Sequence, residues 1–344
     1  MDRPKDMSMN YSVALCTYNG EKYIADQLAS ILDQTVPPTE IVVSDDGSGD
    51  RTLQIVKRIL SSSQVRYSIL HHTENHGVTG NFFSAITACH EAIIFTSDQD
   101  DVWVREKAEK MLPFFSDPET LLVFSDGELV SGRLEPLGTT IFQANGVSER
   151  FLKEKDWMTY LYSNWIVTGA TMALRASLMD GVSEFPKGWL HDAFLAVKAA
   201  SMNGLAACED KLILYRQHES NTVGMHEAGK REKLRNWISR NRRLPDDRNR
   251  RYQRFLSLYE EIQPCLPAEE NVRMNRFLGF LKELSDVSEQ SALIQIPVIL
   301  KHYLNGDYSL FYSGGKTACR AVMAIILNRI AVQGQNLRKH GSKI

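Results

Sequence analysis

Residues 11–46, YSVALCTYNGEKYIADQLASILDQTVPPTEIVVSDD, decide the fold. YSVALC (11–16) is a short apolar run with no polar alternation, as in a strand buried on both faces. GEKYIADQLASILDQ follows, with Ile24, Leu28, Ile31 and Leu32 on one helical face. EIVVSDD (40–46) is a second buried strand, so the stretch is a strand–helix–strand unit. The pattern then repeats. Asp50 or Thr52 caps a helix carrying Leu53, Val56, Ile59 and Leu60. VRYSIL (65–70), EAIIFTSD (91–98) and LLVFSD (121–126) read as further strands, with helices over about 79–90 and 104–115. Strands alternating with helices give an α/β fold, a mostly parallel sheet with helices on both faces.

Beyond residue 140 the alternation loosens. IVTGATMALR (166–175) reads as a strand, HDAFLAVKAASMNG (191–204) as a helix ending in glycine, and KLILYR (211–216) as a strand. From about 229 onward the chain reads as helix, so the expected division is 1–225 and 226–344. Charge supports that cut: residues 1–225 carry 19 Lys+Arg against 30 Asp+Glu, and residues 226–344 carry 21 against 12. Residues 230–254, KREKLRNWISRNRRLPDDRNRRYQR, hold eleven basic and three acidic residues. Such a run is either a solvated helical face or an anion-binding surface, and no nucleic-acid recognition motif accompanies it. The apolar LIQIPVILKHYL (293–304) could supplement contact with a lipid surface.

Composition excludes several classes. Of the 344 residues, 43% are hydrophobic and 24% charged, which is globular. Five scattered cysteines without a CxxC pair argue against a disulfide framework and a zinc ribbon, and fit a reducing cytoplasm. MDRPKDMSMN lacks the apolar core of a secretory signal, and no run of about 18 apolar residues suggests a membrane span. GxGxxG does not follow the first strand and GxxxxGK[ST] is absent, which disfavours dinucleotide oxidoreductases and P-loop ATPases.

Ligands of open parallel sheets bind beyond the carboxyl ends of the strands, and polar clusters collect there. Thr17, Tyr18 and Asn19 follow the first strand, Asp45 to Ser48 the second, Asn75 to Gly77 the third, and Asp98 to Asp101 the fourth. Taken singly, each has a plain alternative: Asn19-Gly20 as a turn, Asp50 as a helix cap, Asp45-Asp46 as a receiver-type phosphoacceptor. The sharpest cluster is TSDQDDVW (96–103). Three carboxylates within four residues repel one another unless a cation or protons intervene. Magnesium or manganese takes such oxygen ligands and keeps substrate phosphate oxygens in its shell.

CTYNGEKYIADQLASILDQTVPPTEIVVSDDGSGDRT, then NHGVTGNF, then TSDQDDVW, resemble the donor-binding half of a family 2 glycosyltransferase with the GT-A fold. The DQDDVW variant and the later HD and YRQHESNTVG segments resemble the bacterial subgroup that includes rhamnosyltransferases of surface-polysaccharide assembly. The likeness covers about residues 10–225. It implies that Thr17, Tyr18, Asn19 and Gly77 line the nucleotide pocket and that Asp46 contacts base or ribose with Asp45 beside it. Asp98 is then near the ribose or metal, Asp100 the principal ligand of a manganese or magnesium ion, and Asp101 its second carboxylate. The aspartate of the family's [E/H]-D motif falls on Asp192, the implied general base of an inverting transfer, with His191 where the family often has Glu. His218 is a candidate metal ligand, the alternative being a structural histidine. Trp103, Trp165 and Trp189 are either sugar- or base-stacking rings or core.

The implied activity is metal-dependent transfer of a sugar, rhamnose from dTDP-rhamnose foremost, to a growing glycan. A polyprenyl-diphosphate-linked acceptor at the inner membrane face follows from the resemblance and the basic C-terminal part. The alternatives are a UDP-hexose donor or, from other classes, a sugar nucleotidyltransferase or a receiver-like module.

Overall fold

The computed structural model describes residues 10–162, 165–218 and 244–311, with 318, 319, 321, 322 and 325. The chain divides into two compact units, Met1–Met225 and His226–Ile344.

In the first unit the alternating pattern becomes β1 (Tyr11–Thr17), α1 (Ile24–Leu32), β2 (Glu40–Asp45), α2 (Thr52–Ser61), β3 (Arg66–His71), α3 (Gly77–Thr87) and β4 (Ile93–Ser97). A short strand β5 (Val102–Trp103), helix α4 (Lys107–Met111), and strands β6 (Leu122–Ser131) and β7 (Pro136–Thr140) follow. Three short helices come next, α5 (Ile141–Asn145), α6 (Glu149–Glu154) and α7 (Trp157–Leu161), then β8 (Met172–Arg175), α8 (His191–Ser201) and β9 (Leu205–Gln217). The sheet order is β3-β2-β1-β4-β8-β6-β9-β5, with β7 on β6. β3, β2, β1 and β4 are mutually parallel, while β8 runs antiparallel to both β4 and β6.

Register builds the site. Thr17 lies opposite Asp45 and Leu15 opposite Ser97, so the chain leaves β1, β2 and β4 along one edge. Every residue of β1, β2 and β4 is buried, which is why these strands read as unbroken apolar runs. β5 pairs antiparallel with β9, Val102 opposite Leu214, and carries the Asp98–Asp101 segment against the end of β9.

Several elements differ from the sequence expectation: β7 and α5 to α7 were not expected, and β9 begins at Leu205 rather than 211. The helix expected over 104–115 stops at Met111, and Pro113 sits in a 3-10 turn, Leu112–Ser116. The strand expected over 166–175 is only Met172–Arg175. Upstream carbonyls that a ladder would use are taken by side chains. Thr96 Oγ1 donates to Gly169 O at 2.5 Å and Lys107 Nζ to Ala170 O at 2.7 Å. The β5 strand was not foreseen; two residues are too few for a periodic signal.

In the second unit, α9 (Leu244–Ile262), α10 (Ala268–Asp286), α11 (Ala292–Leu304) and α12 (Asp307–Phe311) bury Phe255, Phe277, Phe280 and Phe311. Leu293, Leu300 and Leu304 of α11 are exposed. Of the basic run 230–254, residues 230–243 lie outside the described residues, as do residues 219–224 of YRQHESNTVG. Among the described residues no helix is long and apolar enough to cross a membrane.

Candidate active site

The loops after β1, β2 and β4, the start of α3, the chain before β8 and the start of α8 enclose a cavity of ≈ 400 Å³. Thr17, Tyr18, Asp46, Gly77, Asp98, Asp100 and Asp192, all expected site residues, line it. Asn19, Asp45, Asp101 and His218 are not among its lining residues.

The nucleotide-side loops are tied together by their polar residues. Asp45 is fully buried and accepts from Thr17 Oγ1 at 2.7 Å, Ser48 N at 2.9 Å and Ser48 Oγ at 2.6 Å, with His71 Nδ1 at 3.1 Å. Burial alone would raise its pKa, but these donors outweigh it and hold the carboxyl below the usual carboxylate range. Asp45 is therefore a brace, not an accessible phosphoacceptor. Asp46 faces the cavity. Its oxygens accept from the His76 and Gly77 amides at 2.7 and 3.0 Å, which fixes the start of α3. Gly77 takes φ +71°, a conformation that favours glycine. Asn19, expected in the pocket, instead turns the chain at φ 49° and staples two loops, its N–H donating to Ser48 Oγ and its Oδ1 accepting from Gly49 N, both at 2.9 Å.

The acidic cluster divides. Asp98 and Asp100 share the cavity, whereas Asp101 is 1% exposed and its Oδ1 accepts from Arg216 N at 2.9 Å. Asp101, expected as the second metal carboxylate, is thus turned toward β9, and Asp98 is the carboxylate that accompanies Asp100. Burial, then the charges of Asp100 and Asp192, push Asp98 up to about 7. Burial raises Asp100 as well, against the opposing pull of His218, whose Nε2 lies 2.9 Å from Asp100 Oδ2. Beneath them lies Lys107, fully buried, its pKa brought down to about 7 by burial against the pull of Asp101 and Asp98.

Among the described residues no three His, Cys, Asp or Glu side chains form a ready metal cage. A magnesium-type ion does not need one. It is commonly held by one or two carboxylates together with substrate phosphates, and two carboxylates whose charged forms burial disfavours match that chemistry. The residues fit such an ion.

On the far side, Asp192 is the second residue of α8. Its Oδ2 accepts from Gly169 N at 3.0 Å and its Oδ1 from Ala193 N at 2.7 Å. His191 is 4% exposed and stacks on Phe82 at 3.8 Å between ring centroids, and neither ring nitrogen has a hydrogen-bond partner. Burial lowers its pKa against the opposing charge of Asp192.

Sequence reasoning missed Arg216. Its guanidinium donates to Asp100 O at 2.7 Å, Gly132 O at 2.9 Å and Asp26 at 3.1 Å, and stacks over Tyr23. One side chain therefore joins α1, the acidic loop and the end of β6. A lone Arg closing an apolar strand was the only signal. Asn81 was also missed: it lines the cavity and donates through Nδ2 to Thr17 O at 3.3 Å.

Comparison with known proteins bears on the family and the fold. Residues 12–181 match the family model described as glycosyl transferase family 2. The dTDP-rhamnosyl transferase RfbG of Shigella flexneri is 27% identical over 243 residues, 66% of this chain and 80% of that protein. The O-antigen chain rhamnosyltransferase RfbN of Salmonella typhimurium is 25% identical over 193 residues, 57% of this chain and 60% of that protein. Three other curated relatives are matched over 35% to 50% of their length. The crystal structure of S. aureus TarS 1–349 with UDP-GlcNAc superposes with a TM-score of 0.58 at 18% identity, covering 94% of this chain and 92% of that one. That likeness shows a shared fold.

Proposed function

As a member of glycosyl transferase family 2 with the GT-A fold, the chain is a glycosyltransferase, and from that premise we propose an inverting transfer from a nucleotide-diphosphate sugar to a bacterial cell-surface glycan. The carrying observation is the single cavity that holds Thr17, Asp46 and Gly77 with Asp98, Asp100 and Asp192. The leading donor is dTDP-L-rhamnose, supported by the two rhamnosyltransferase relatives; a UDP-hexose is the alternative. The acceptor is a polyprenyl-diphosphate-linked oligosaccharide, met in the cytoplasm at the inner membrane face. Residues 1–225 form the catalytic unit. Residues 226–344 supply peripheral membrane contact, supported by their positive charge and the exposed leucines of α11.

In this mechanism Asp46 and the α3 start receive the nucleoside. Asp100, with Asp98, would hold a manganese or magnesium ion, which when bound offsets charge on the departing diphosphate. Asp192 takes the proton of the acceptor hydroxyl while that oxygen bonds to the anomeric carbon and the carbon–oxygen bond to the diphosphate breaks. Two N–H groups hold the Asp192 carboxylate, so its geometry is set before substrate arrives.

The test is a donor panel. dTDP-rhamnose, UDP-glucose and UDP-N-acetylglucosamine are compared by thermal shift with and without manganese, because a ligand of the native state alone adds about 2.7 kcal/mol at a hundred times its Kd. The expected result is a manganese-dependent rise with dTDP-rhamnose largest, and release of nucleoside diphosphate on turnover. Pyrophosphate exchange would instead identify a nucleotidyltransferase, and full activity in excess chelator would remove the metal from the mechanism.

A further inference from the structure

Trp103, Trp165 and Trp189, three of the five tryptophans, have different fates. Trp103 and Trp189 are 3% and 4% exposed, whereas Trp165 is 41% exposed and lines the cavity. An indole 41% exposed in a cavity wall keeps part of its face within reach of a ligand. The other exposed aromatic ring lining the cavity, among the described residues, is Tyr18, 49% exposed. Tyr18 belongs to the loop after β1, and its backbone N–H and C=O are both clamped by Gln99, at 2.8 and 2.9 Å. It is part of the nucleotide side. Trp165 stands elsewhere in the chain. It opens the irregular stretch that runs through Val167 and Thr168 to Gly169, all lining the cavity, and the Gly169 amide holds the Asp192 carboxylate. Four residues of chain span at most about 14 Å, so the indole lies within the reach of an oligosaccharide whose reacting hydroxyl is at Asp192.

We propose that Trp165 is the platform for the acceptor, and that it selects an acceptor ending in a pyranose ring over an acyclic alditol phosphate. The inference rests on the glycosyl-transfer reading. A pyranose presents a flat face of C–H groups, and the negative face of an aromatic ring attracts their positive edge. An open alditol chain offers no such face. The two exposed rings thus divide the cavity, Tyr18 beside the donor loops and Trp165 beside the base. Because Trp165 is on the segment that ends in the base-holding amide, a sugar seated on it is referred to Asp192 by one short piece of backbone.

The test uses the full chain saturated with dTDP or UDP, and saturation-transfer NMR with three probes: methyl α-L-rhamnopyranoside, methyl β-N-acetylglucosaminide and ribitol 5-phosphate. At least one pyranoside is expected to receive saturation on its ring C–H protons, and ribitol 5-phosphate none. Trp165→Ala is expected to weaken pyranoside binding roughly tenfold or more, and Trp165→Phe to restore it. Nucleotide affinity, measured on the same samples by calorimetry, is expected to stay within about twofold, which also reports an intact fold. Nucleotide binding by the wild type without any pyranoside signal overturns the platform, as does a signal unchanged in Trp165→Ala. A wild type that binds neither nucleotide overturns the glycosyl-transfer reading instead.

Discussion

Gly169→Ala is the substitution through which the geometry around Asp192 can be tested most directly. A Cβ built at position 169 meets His191 Nε2 at 2.5 Å and Cε1 at 3.0 Å, with Asp192 Oδ2 at 3.7 Å. Ordinary contact begins near 3.4 Å, so the imidazole must move by 3.4 minus 2.5, about 0.9 Å. It has little room to do so. Phe82, itself fully buried, is stacked on the ring at 3.8 Å and 20°. Overpacking of this kind costs about 1–3 kcal/mol, against which the stiffer unfolded chain of the alanine variant returns about 0.4–1 kcal/mol. A net loss of about 0–2.6 kcal/mol is expected in urea unfolding. The effect on turnover is larger, because His191 and Asp192 are consecutive and a carboxylate misplaced by about 1 Å can lose a factor near 10² in rate. Donor affinity, measured by calorimetry, should hold, since the nucleotide-side loops are untouched. Adding Gly169→Ala to a His191→Ala background should cost little further turnover, because the obstacle is gone. Wild-type turnover in Gly169→Ala, or equal costs in both backgrounds, would refute this account of how the base is held.

Two further outcomes concern the hydrogen bonds that Asp192 and Asp45 accept. Asp192→Asn must turn its NH2 toward one of the two amides that the carboxylate accepts from, losing about 1 kcal/mol of stability; transfer should fall by about 10² or more with donor affinity retained, and a loss of donor binding in step with rate would assign Asp192 a structural role instead. Asp45 has a pKa held below its unfolded value by donors that outweigh burial, so its contribution is present above the ordinary carboxylate range near 4 and is lost as pH falls through that range and below. Urea midpoints measured downward from pH 6 should therefore drop less steeply in Asp45→Asn than in the wild type, and parallel curves would contradict the brace.

The parallel core was legible because β1, β2 and β4 are buried throughout and leave no alternation to misread. The fate of neighbouring polar residues was not. Asp45 and Asp46 are adjacent in sequence, yet one is sealed by Thr17, Ser48 and His71 while the other faces the cavity. The partners that separate them come from β1, the loop after β2, and β3, and no spacing reports that. The same holds for tryptophan: Trp103 and Trp165 are equally apolar in sequence, and the pairing of β5 with β9, with Phe95 and Lys107 against the ring, encloses the first. The acidic cluster is the instructive case. Three carboxylates in four residues look like one ligand set, but the chain bends at Gln99 and Asp100 between β4 and β5, and Gln99 lines the cavity beside its two neighbours, so no strand alternation sorts them. Asp98 and Asp100 are the pair that the structure brings to the cavity, and Asp101 is the one that Arg216 receives from a strand more than a hundred residues away. The charge of the cluster thus says that a cation is wanted, and a contact from distant β9, which no spacing within the cluster reports, says which of the three residues is withdrawn from sharing it.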